Sequence, residues 1–540
     1  MFNRIRASAT PRKMLALLTA LTTALGPSVL PALAASQPTP KNMPIQHIVV
    51  IFNENISFDH YFGTYPTALN PKGEPQFHAL PGTPTVNGFT NALLNNNPNL
   101  NTANGVGATN PFRLDRSQAV TADQDHDYTA EQLGFDMGAM DLFPASMGTA
   151  GPPPSGGGIV DTTGLTMGYF DGNTVTALWN YAQYFAMNDN SFSSTFGPST
   201  VGVINLVSGQ TNGVIKTLNG TGAEVDGGDG SLTMIGDPDP LDDVCSNPTG
   251  GQARMGSKNI GDLLTAAGVT WGSFMGGFNL DIKNPNGTTG CNRSSTGLAG
   301  TTADYVPHHS FFGYYASTAD PKHTRPKSIA EIGHNGPANH EYDTDDFFAA
   351  VKAGNFPAVS FLKAPAYQDG HAGYSDPIDE QHFLAKVINF LEAQSSWDST
   401  AVVILYDDSD GWYDHQMSPI VNQSTGPADA LTGTDACGTA TNSLPGINPK
   451  NAHALGRCGY GPRQPLLVVS PWAKQNFVDH TVTDQSSVIR FIEDNWLGGQ
   501  RIGQGSFDGI ASSISQMFDF TRQRRDGRLF LNPNTGLPTR

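Results

Sequence analysis

The stretch that most constrains the fold is residues 401–415, A-V-V-I-L-Y-D-D-S-D-G-W-Y-D-H, where an apolar run passes directly into a cluster of carboxylates. A run as apolar and β-branched as residues 401–406 is typical of a strand buried on both faces, as in the interior of an α/β sheet. Asp407 and Asp408 follow where that strand ends. Adjacent carboxylates repel each other unless a cation or a shared proton compensates them. The stretch therefore indicates a metal site at the end of a buried strand.

Other segments repeat the pattern of a strand followed by a helix. Residues 45–52 form a second apolar run, which Asn53, Glu54 and Asn55 follow. Further strands are predicted at residues 269–275, 358–362 and 465–469, and helices at 174–186, 345–353, 379–393 and 488–496. Gly- and Asn-rich excursions of low periodicity occupy about residues 66–122 and 210–340. The order predicts an α/β fold, in which a mostly parallel central sheet carries helices on both faces and ligands bind beyond the carboxyl ends of the strands.

The first 34 residues have the features of a secretory signal peptide. Four basic residues in the first 13 positions precede an apolar run to about residue 25, and Ala32-Leu33-Ala34 then provides a small-residue cleavage pattern. A membrane anchor is the alternative, but the run is short for a bilayer span. We expect cleavage near Ala34, which would leave a single domain of residues 35–540 that is secreted or periplasmic and has no stable membrane anchor.

Net charge and cysteine content agree with an exported enzyme rather than a nucleic-acid-binding protein. Loss of residues 1–34 removes four positive charges and no negative ones, which changes the formal net charge from −18 to −22. Such a surface repels phosphate backbones, so nucleic acid is not an expected partner. All four cysteines follow the leader, and no C-x-x-C spacing indicates a cysteine-rich metal site. Nearest-neighbour pairing joins Cys245 to Cys291 and Cys437 to Cys458, although four cysteines allow three connectivities.

Several polar residues are candidates for a site, and each also has a simpler interpretation. His126 stands among the carboxylates of D-Q-D-H-D-Y, which is also a plausible solvated turn. Ser199 precedes an apolar segment, where it is either a helix N-cap or a nucleophile at a helix N-terminus that favours phosphate. His308 and His309 are adjacent in a loop and have the alternative of being surface residues, and His371 follows the strand at 358–362.

The polar residues beyond the strand ends form a set of oxygen ligands. The set comprises Glu54, Asn55, Asp407 and Asp408, together with the hydroxyl of Ser199. Oxygen donors suit hard divalent cations such as Ca²⁺, Mg²⁺ or Mn²⁺, while Zn²⁺ and iron remain possible. We expect one divalent ion.

Three motifs, in chain order, resemble those of a known family. E-N-I-S-F-D-H-Y-F-G at 54–63 resembles an E-N-R-S-F-D-H motif, G-P-S-T at 197–200 a nucleophile motif, and D-D-S-D-G-W-Y-D-H at 407–415 a D-[DE]-x-x-G-x-[YF]-D-H motif. These motifs are those of the bacterial phosphoesterase family that contains non-specific phospholipases C and respiratory-burst-inhibiting acid phosphatases. The resemblance extends from about residue 44 to about residue 500.

The resemblance implies an alkaline-phosphatase-like fold and a metal-assisted serine nucleophile. By motif position, Ser199 would be the nucleophile and would bind the metal together with Glu54, Asn55, Asp407 and Asp408. The acid phosphatase branch adds pocket histidines, which correspond to His126, His308, His309 and His371. His415 closes the last motif, and we expect it to support the site rather than take part in catalysis.

The chain departs from the family pattern at Ile56, which replaces an arginine, and at Val201, which replaces a proline. Residues 484–487 also lack the E-H-T/S pattern of the plant-like phospholipases, which favours the acid phosphatase branch. The sequence therefore predicts hydrolysis of phosphate monoesters through a phosphoseryl intermediate at Ser199. Phospholipase C cleavage of phosphatidylcholine-type diesters is the alternative, so the expected partners are small phosphorylated substrates or phospholipid headgroups.

Two further classes of protein fit less well. A sulfatase would need a C/S-x-P-x-R context at the nucleophile, and residues 199–203 do not provide it. A Gly/Asn-rich binding or adhesion protein without catalysis would lack ligands at some motif positions, whereas all of them are filled.

Overall fold

A nine-stranded sheet forms the centre of the computed structural model. Its strands are β1 (His47–Asn53), β2 (Ala186–Phe192), β3 (Trp271–Met275), β4 (Glu341–Asp343), β5 (Val359–Lys363), β6 (Thr400–Tyr406), β7 (Arg463–Val469), β8 (Phe477–Asp479) and β9 (Thr483–Asp484). Their order is β4-β3-β5-β1-β6-β7-β2-β8, and β9 also pairs with β2. Among these nine strands only β7 runs antiparallel to its neighbours. The predicted mostly parallel sheet is thus confirmed, and all five predicted strands belong to it.

The structure describes residues 43–148, 162–219, 222–433, 436–438, 443–448, 453–524 and 527–539. These residues belong to one compact unit, Pro38–Arg540. The predicted signal peptide lies outside the described residues. Within the described ranges, no helix has the length and apolar character needed to cross a membrane.

Ten helices of the described ranges accompany the sheet. They are α1 (Phe58–Phe62), α2 (Asn91–Asn95), α3 (Tyr128–Phe135), α4 (Phe143–Ser146), α5 (Thr176–Tyr184), α6 (Ser199–Ser208), α7 (Ile260–Ala267), α8 (Thr344–Lys352), α9 (Pro377–Glu392) and α10 (Ser486–Trp496). The four predicted helices are α5, α8, α9 and α10, and their observed ends differ from the prediction by only a few residues. Every residue of β5, β6 and β7 is buried, so both faces of the sheet are covered at its centre.

The excursion at residues 210–340 is more ordered than its composition indicated. It contains a five-stranded sheet in the order Glu224–Asp226, Leu232–Met234, Asn212–Leu218, Gln252–Met255 and Asp239–Pro240, and a hairpin of Ser294–Gly297 with Gly300–Ala303. The expectation of one clear strand in this region was therefore wrong, because β3 is accompanied by short polar strands. In the excursion at 66–122, Phe112–Arg113 pairs with Gly168–Tyr169.

Two disulfides close loops, as nearest-neighbour pairing predicted. Cys245 is bonded to Cys291 with 5.2 Å between their Cα atoms, and Cys437 to Cys458 with 5.6 Å. Both Cα separations fall in the usual disulfide range.

Candidate active site

The ends of β1 and β6 bring the predicted metal ligands together. The two strands are parallel neighbours with Asn53 opposite Tyr406, so the segments that follow leave the sheet side by side. The Asn55 N–H donates to Asp407 Oδ1 at 3.1 Å, with Asn55 in the left-handed region at φ 56°. Asparagine tolerates this backbone conformation better than most residues. The two loops that carry the predicted metal ligands are therefore hydrogen-bonded to each other.

Ser199 is the first residue of α6 and is fully buried at the same edge of the sheet. Its Oγ lies 3.2 Å from Glu54 Oε2 and 3.1 Å from Asp408 Oδ2. The helix lies this close to the end of β6 because residue 202 is glycine: a Cβ there would be 2.5 Å from the Asp407 carbonyl oxygen. The sequence thus places a hydroxyl between two carboxylates that are far apart along the chain.

The donor atoms around Ser199 fit a hard divalent cation. Glu54, Asn55 and Asp408 are fully buried, and the buried Asn55 Oδ1 has no hydrogen-bond partner in the described ranges. A buried amide oxygen without a partner is costly, and coordination to a cation would satisfy it. Glu54 Oε2, Asn55 Oδ1, Ser199 Oγ and Asp408 Oδ2 are the oxygen donors that Ca²⁺, Mg²⁺ or Mn²⁺ prefer.

Asp407, the fifth predicted ligand, has other contacts. Its Oδ1 accepts the N–H groups of Asn55 at 3.1 Å and Asp408 at 2.9 Å, and its Oδ2 lies 3.4 Å from Lys363 Nζ. This carboxylate holds the two ligand loops together and faces a lysine, and its ligation of the metal stays a prediction.

All four predicted histidines lie around this cluster. His309 Nδ1 is 3.3 Å from Glu54 Oε1, and the rings of His308 and His309 are 4.5 Å apart. His126 Nε2 lies 3.3 Å from Asn55 Nδ2, and its ring is 6.0 Å from that of His371. Residues from three separate loops therefore converge on the ends of β1 and β6. Their roles in catalysis stay predictions.

The surroundings divide the histidines into two classes. Burial lowers the pKa of His126 and His308, but the carboxylates of Asp408 and Asp410 hold the pKa of His126 well above its usual value, and Asp239 and Asp237 raise that of His308. Burial is the main reason that the pKa of His309 lies well below its usual value, and the neighbouring charge of His308 lowers this pKa further.

Burial also lowers the pKa of His371. His126 and His308 are therefore suited to binding an anion or donating a proton, whereas the lowered pKa values of His309 and His371 keep these two rings neutral.

Two buried charged residues of the site were missed from the sequence. Lys363 ends β5, and its Nζ contacts Glu54 Oε1. Glu131 lies in α3, where one carboxylate oxygen accepts the Gly197 N–H at 2.9 Å and the other accepts the Ser409 hydroxyl at 2.8 Å. A lysine directly after the predicted strand at 358–362 was the available signal for Lys363, whereas nothing in the sequence distinguishes Glu131 from an ordinary helix residue.

The last motif ends in a buried ion network beside the site. Arg463 Nη2 lies 3.0 Å from Asp59 Oδ1, and Arg463 Nε lies 3.0 Å from Asp414 Oδ2. His415 Nδ1 lies 2.5 Å from Asp59 Oδ2. These contacts attach the motif to α1 and β7, which agrees with a supporting role for His415.

The chain is similar to known proteins over most of its length. The model of the Phosphoesterase family matches residues 45–497. Non-hemolytic phospholipase C of Pseudomonas aeruginosa is 26% identical over 461 residues, which is 84% of this chain and 54% of that protein. Phospholipase C A of Mycobacterium tuberculosis is 23% identical over 490 residues, 88% of this chain and 77% of that protein. The chain spans about half the length of the first of these relatives.

Solved structures show a weaker likeness. A protein of the alkaline phosphatase superfamily from Vibrio parahaemolyticus covers 80% of each chain at 11% identity and a TM-score of 0.27. The phosphonate monoester hydrolase of Silicibacter pomeroyi covers 65% of this chain and 73% of its own at 13% identity and a TM-score of 0.30. Scores this low add nothing to the sheet topology described above.

Proposed function

Because this chain belongs to the Phosphoesterase family, we propose that it hydrolyses phosphoric esters with Ser199 as the nucleophile. The observation that carries the proposal is the position of Ser199 Oγ, within 3.2 Å of Glu54 Oε2 and 3.1 Å of Asp408 Oδ2 at the N-terminus of α6. A helix cap does not explain this serine, because the N-cap of α6 is Pro198 and the Ser199 hydroxyl instead faces Glu54 and Asp408. It is well placed as a nucleophile whose proton has acceptors at hand.

Glu54, Asn55, Ser199 and Asp408, with Asp407, would hold one divalent cation. When bound, the cation lowers the pKa of the serine hydroxyl and neutralises charge on the phosphoryl oxygens. The donor set favours Ca²⁺, Mg²⁺ or Mn²⁺ over ions that prefer thiolates.

The residues of the chain perform the remaining steps. Ser199 Oγ attacks phosphorus and passes its proton to Asp408 Oδ2 or Glu54 Oε2 as the bond to the leaving alkoxide breaks. His126 or His308, both with raised pKa values, donates a proton to that alkoxide. A water molecule then attacks the phosphoseryl group and the bond between Ser199 Oγ and phosphorus breaks. One proton of the water returns to Ser199 Oγ, and phosphate or a phosphomonoester leaves.

Two substrate classes are supported by different observations. The names of the relatives favour a phospholipase C reaction, in which a phospholipid diester is cleaved on the diacylglycerol side, and we propose this as the first candidate. Phosphate monoesters, the class expected from the sequence, are supported by the positive groups around Ser199. His126 and His308, whose pKa values are raised, can help one cation to balance a dianionic phosphate.

The nucleophile is tested with Ser199→Ala and with p-nitrophenyl phosphorylcholine and p-nitrophenyl phosphate as substrates. We expect the variant to lose at least about 10³-fold in kcat on either substrate, since among the described residues no other hydroxyl is placed between the two carboxylates. Ser208→Ala, a buried hydroxyl at the far end of the same helix, is the control and should keep full activity.

Equal rates for Ser199→Ala and the wild type would refute the proposal. The ratio of kcat/KM for the diester and monoester separates the substrate classes.

We also propose that residues 1–34 direct export and are removed, which leaves residues 35–540 as a single catalytic domain. Two disulfides support an oxidising compartment, where such bonds persist. N-terminal sequencing of protein secreted by a bacterial host tests this. A mature chain that still begins at residue 1 would contradict cleavage.

A further inference from the structure

Lys363 has an unusual position for a lysine. It is the last residue of β5, only 1% of its surface is exposed, and β5 is the neighbour of β1 in the sheet. Its Nζ contacts Glu54 Oε1 and lies 3.4 Å from Asp407 Oδ2. Lysine is almost never fully buried unless it is paired, so these two carboxylates hold the ammonium group in place.

The two oxygens of Glu54 face different partners. Oε2 lies 3.2 Å from Ser199 Oγ, on the side of the proposed cation, whereas Oε1 contacts Lys363 Nζ. Asp407 is divided in the same way, with Oδ1 on the backbone N–H groups of the ligand loops and Oδ2 toward Lys363. The Glu54 carboxylate thus lies between the proposed cation on one side and the ammonium group of Lys363 on the other.

The charges of the cluster agree with this division. Glu54, Asp407 and Asp408 are three fully buried carboxylates around Ser199. One divalent cation and one ammonium group supply three positive charges, which match these three carboxylates. Beside them, His126 lies 3.9 Å from Asp408 Oδ2 and 3.6 Å from Asp410 Oδ1, and Asp369 is a further buried carboxylate, 3.8 Å from His309 Nδ1. A second divalent ion would have to displace the ammonium group from Glu54 and Asp407.

We propose that Lys363 is a built-in positive centre that takes the place of a second metal ion, so that the site holds one divalent cation. The inference rests on the proposed function, because it assumes a cation beside Ser199. Lys363 acts through Glu54 and Asp407 and is therefore a positioning residue. Its charge also lowers the affinity of the site for metal ions, because like charges repel.

This gives a prediction whose sign separates an electrostatic role from a structural one. A lysine that only supports the fold would, when replaced, loosen the site and weaken metal binding. A lysine that competes with a cation would, when replaced by a neutral residue, strengthen metal binding.

We therefore expect Lys363→Met to bind Mn²⁺ about tenfold more tightly than the wild type, or to bind a second Mn²⁺ ion per chain. Lys363→Arg, which keeps the charge, should bind one ion with unchanged affinity. Lys386→Met, which removes an exposed lysine, is the matched control and should change neither affinity nor kcat.

The experiment measures Mn²⁺ content by elemental analysis after dialysis and affinity by calorimetry, on the full mature chain freed of metal with a chelator. Thermal unfolding with and without Mn²⁺ shows that each variant is folded. Tighter binding or a second ion in Lys363→Met, with a lower kcat at one ion per chain, supports the proposal.

Weaker or unchanged Mn²⁺ binding in Lys363→Met overturns the lysine proposal alone, provided that the wild type binds one ion. A wild-type chain that binds no divalent ion overturns the proposed metal dependence as well. A Lys363→Met variant that is unfolded also counts against the proposal if Lys363→Arg is unfolded too, because the retained charge would then not have sufficed.

Discussion

Replacement of Glu131 by alanine tests how Ser199, the proposed nucleophile, is held in position. Glu131 is fully buried in α3, and its two oxygens accept the Gly197 N–H at 2.9 Å and the Ser409 hydroxyl at 2.8 Å. Gly197 lies two residues before Ser199, and Ser409 directly follows Asp408. One side chain therefore connects the loop of the proposed nucleophile to the loop of the proposed metal ligands.

The cost of the change follows from these contacts. Glu131→Ala leaves the buried Gly197 N–H without an acceptor, which costs about 1–3 kcal/mol, and the loss of the bond to Ser409 adds about 1 kcal/mol. The free energy of unfolding should fall by about 2–4 kcal/mol. A displacement of about 1 Å at the nucleophile lowers kcat by about 10²-fold, while KM for a small substrate changes little.

Glu131→Gln separates charge from hydrogen bonding. Burial holds the pKa of Glu131 well above its usual value, so a neutral amide resembles the native group. The amide oxygen can accept the Gly197 N–H while its nitrogen donates to Ser409. We expect Glu131→Gln to retain kcat within about threefold and stability within about 1 kcal/mol.

The assay is urea unfolding followed by kcat and KM on p-nitrophenyl phosphorylcholine, with Gln132→Ala as the matched control. Gln132 Oε1 is also buried in α3 and also accepts two N–H groups, from Ala430 at 2.8 Å and Leu431 at 3.0 Å. We expect a similar loss of stability without the loss of kcat. If Gln132→Ala and Glu131→Ala lower kcat equally, or if Glu131→Gln is as impaired as Glu131→Ala, Glu131 does not position the nucleophile.

Three further predictions concern packing and pH. Burial lowers the pKa of His60 to about 3, so the contribution of His60 to stability is complete above about pH 6.5 and is lost as pH falls toward 3. The difference in the free energy of unfolding between wild type and His60→Phe should therefore shift by about 2 kcal/mol from pH 7.5 to pH 5. A difference that stays constant with pH contradicts this prediction. Burial raises the pKa of Glu380 to about 7, so the contribution of Glu380 to stability is complete below about pH 4.5 and is lost as pH rises through 7. In urea unfolding, the free energy of unfolding of Glu380→Gln should rise by about 3 kcal/mol relative to that of the wild type between pH 4.5 and pH 8. The absence of this relative gain would refute the prediction. Gly202→Ala should lower the free energy of unfolding by about 1–3 kcal/mol and should also lower kcat, because a Cβ would lie 2.5 Å from the Asp407 carbonyl oxygen. If the variant unfolds at the wild-type temperature in calorimetry and keeps the wild-type kcat, α6 has room to move and the prediction is wrong.

The centre of the fold could be predicted because its strands are apolar enough to identify without their neighbours. β6 reads T-A-V-V-I-L-Y and is buried at every position, and β1 and β5 are similar. β2 was missed because it reads A-M-N-D-N-S-F, and its polar side chains are satisfied only by the folded protein. Asn188 Nδ2, for example, donates to Asp479 Oδ2 at 3.2 Å and to the Thr481 carbonyl at 2.9 Å. Such a strand has no apolar pattern for sequence reasoning to find.

The small sheet at 212–255 was missed for a related reason. Its strands have two to seven residues, and several lie in Gly- and Asp-rich surroundings that are typical of loops. Pairing with a neighbouring strand, rather than burial of an apolar face, defines them. The Phosphoesterase motifs were found because each combines several residues at fixed spacing. Their predicted metal ligands follow the strands β1 and β6 or begin the helix α6.

Lys363 and Glu131 show what a motif leaves out. Each is an ionisable side chain of negligible exposure whose partner belongs to a different part of the chain, and Lys363 meets Glu54 only because β5 lies next to β1. A buried charge must be paired, so in a folded protein it indicates which groups need compensation. Here the compensated groups are Glu54 and Asp407. The motifs therefore predict which residues line the site, whereas a buried charge between elements, such as Lys363, becomes visible only in the folded protein.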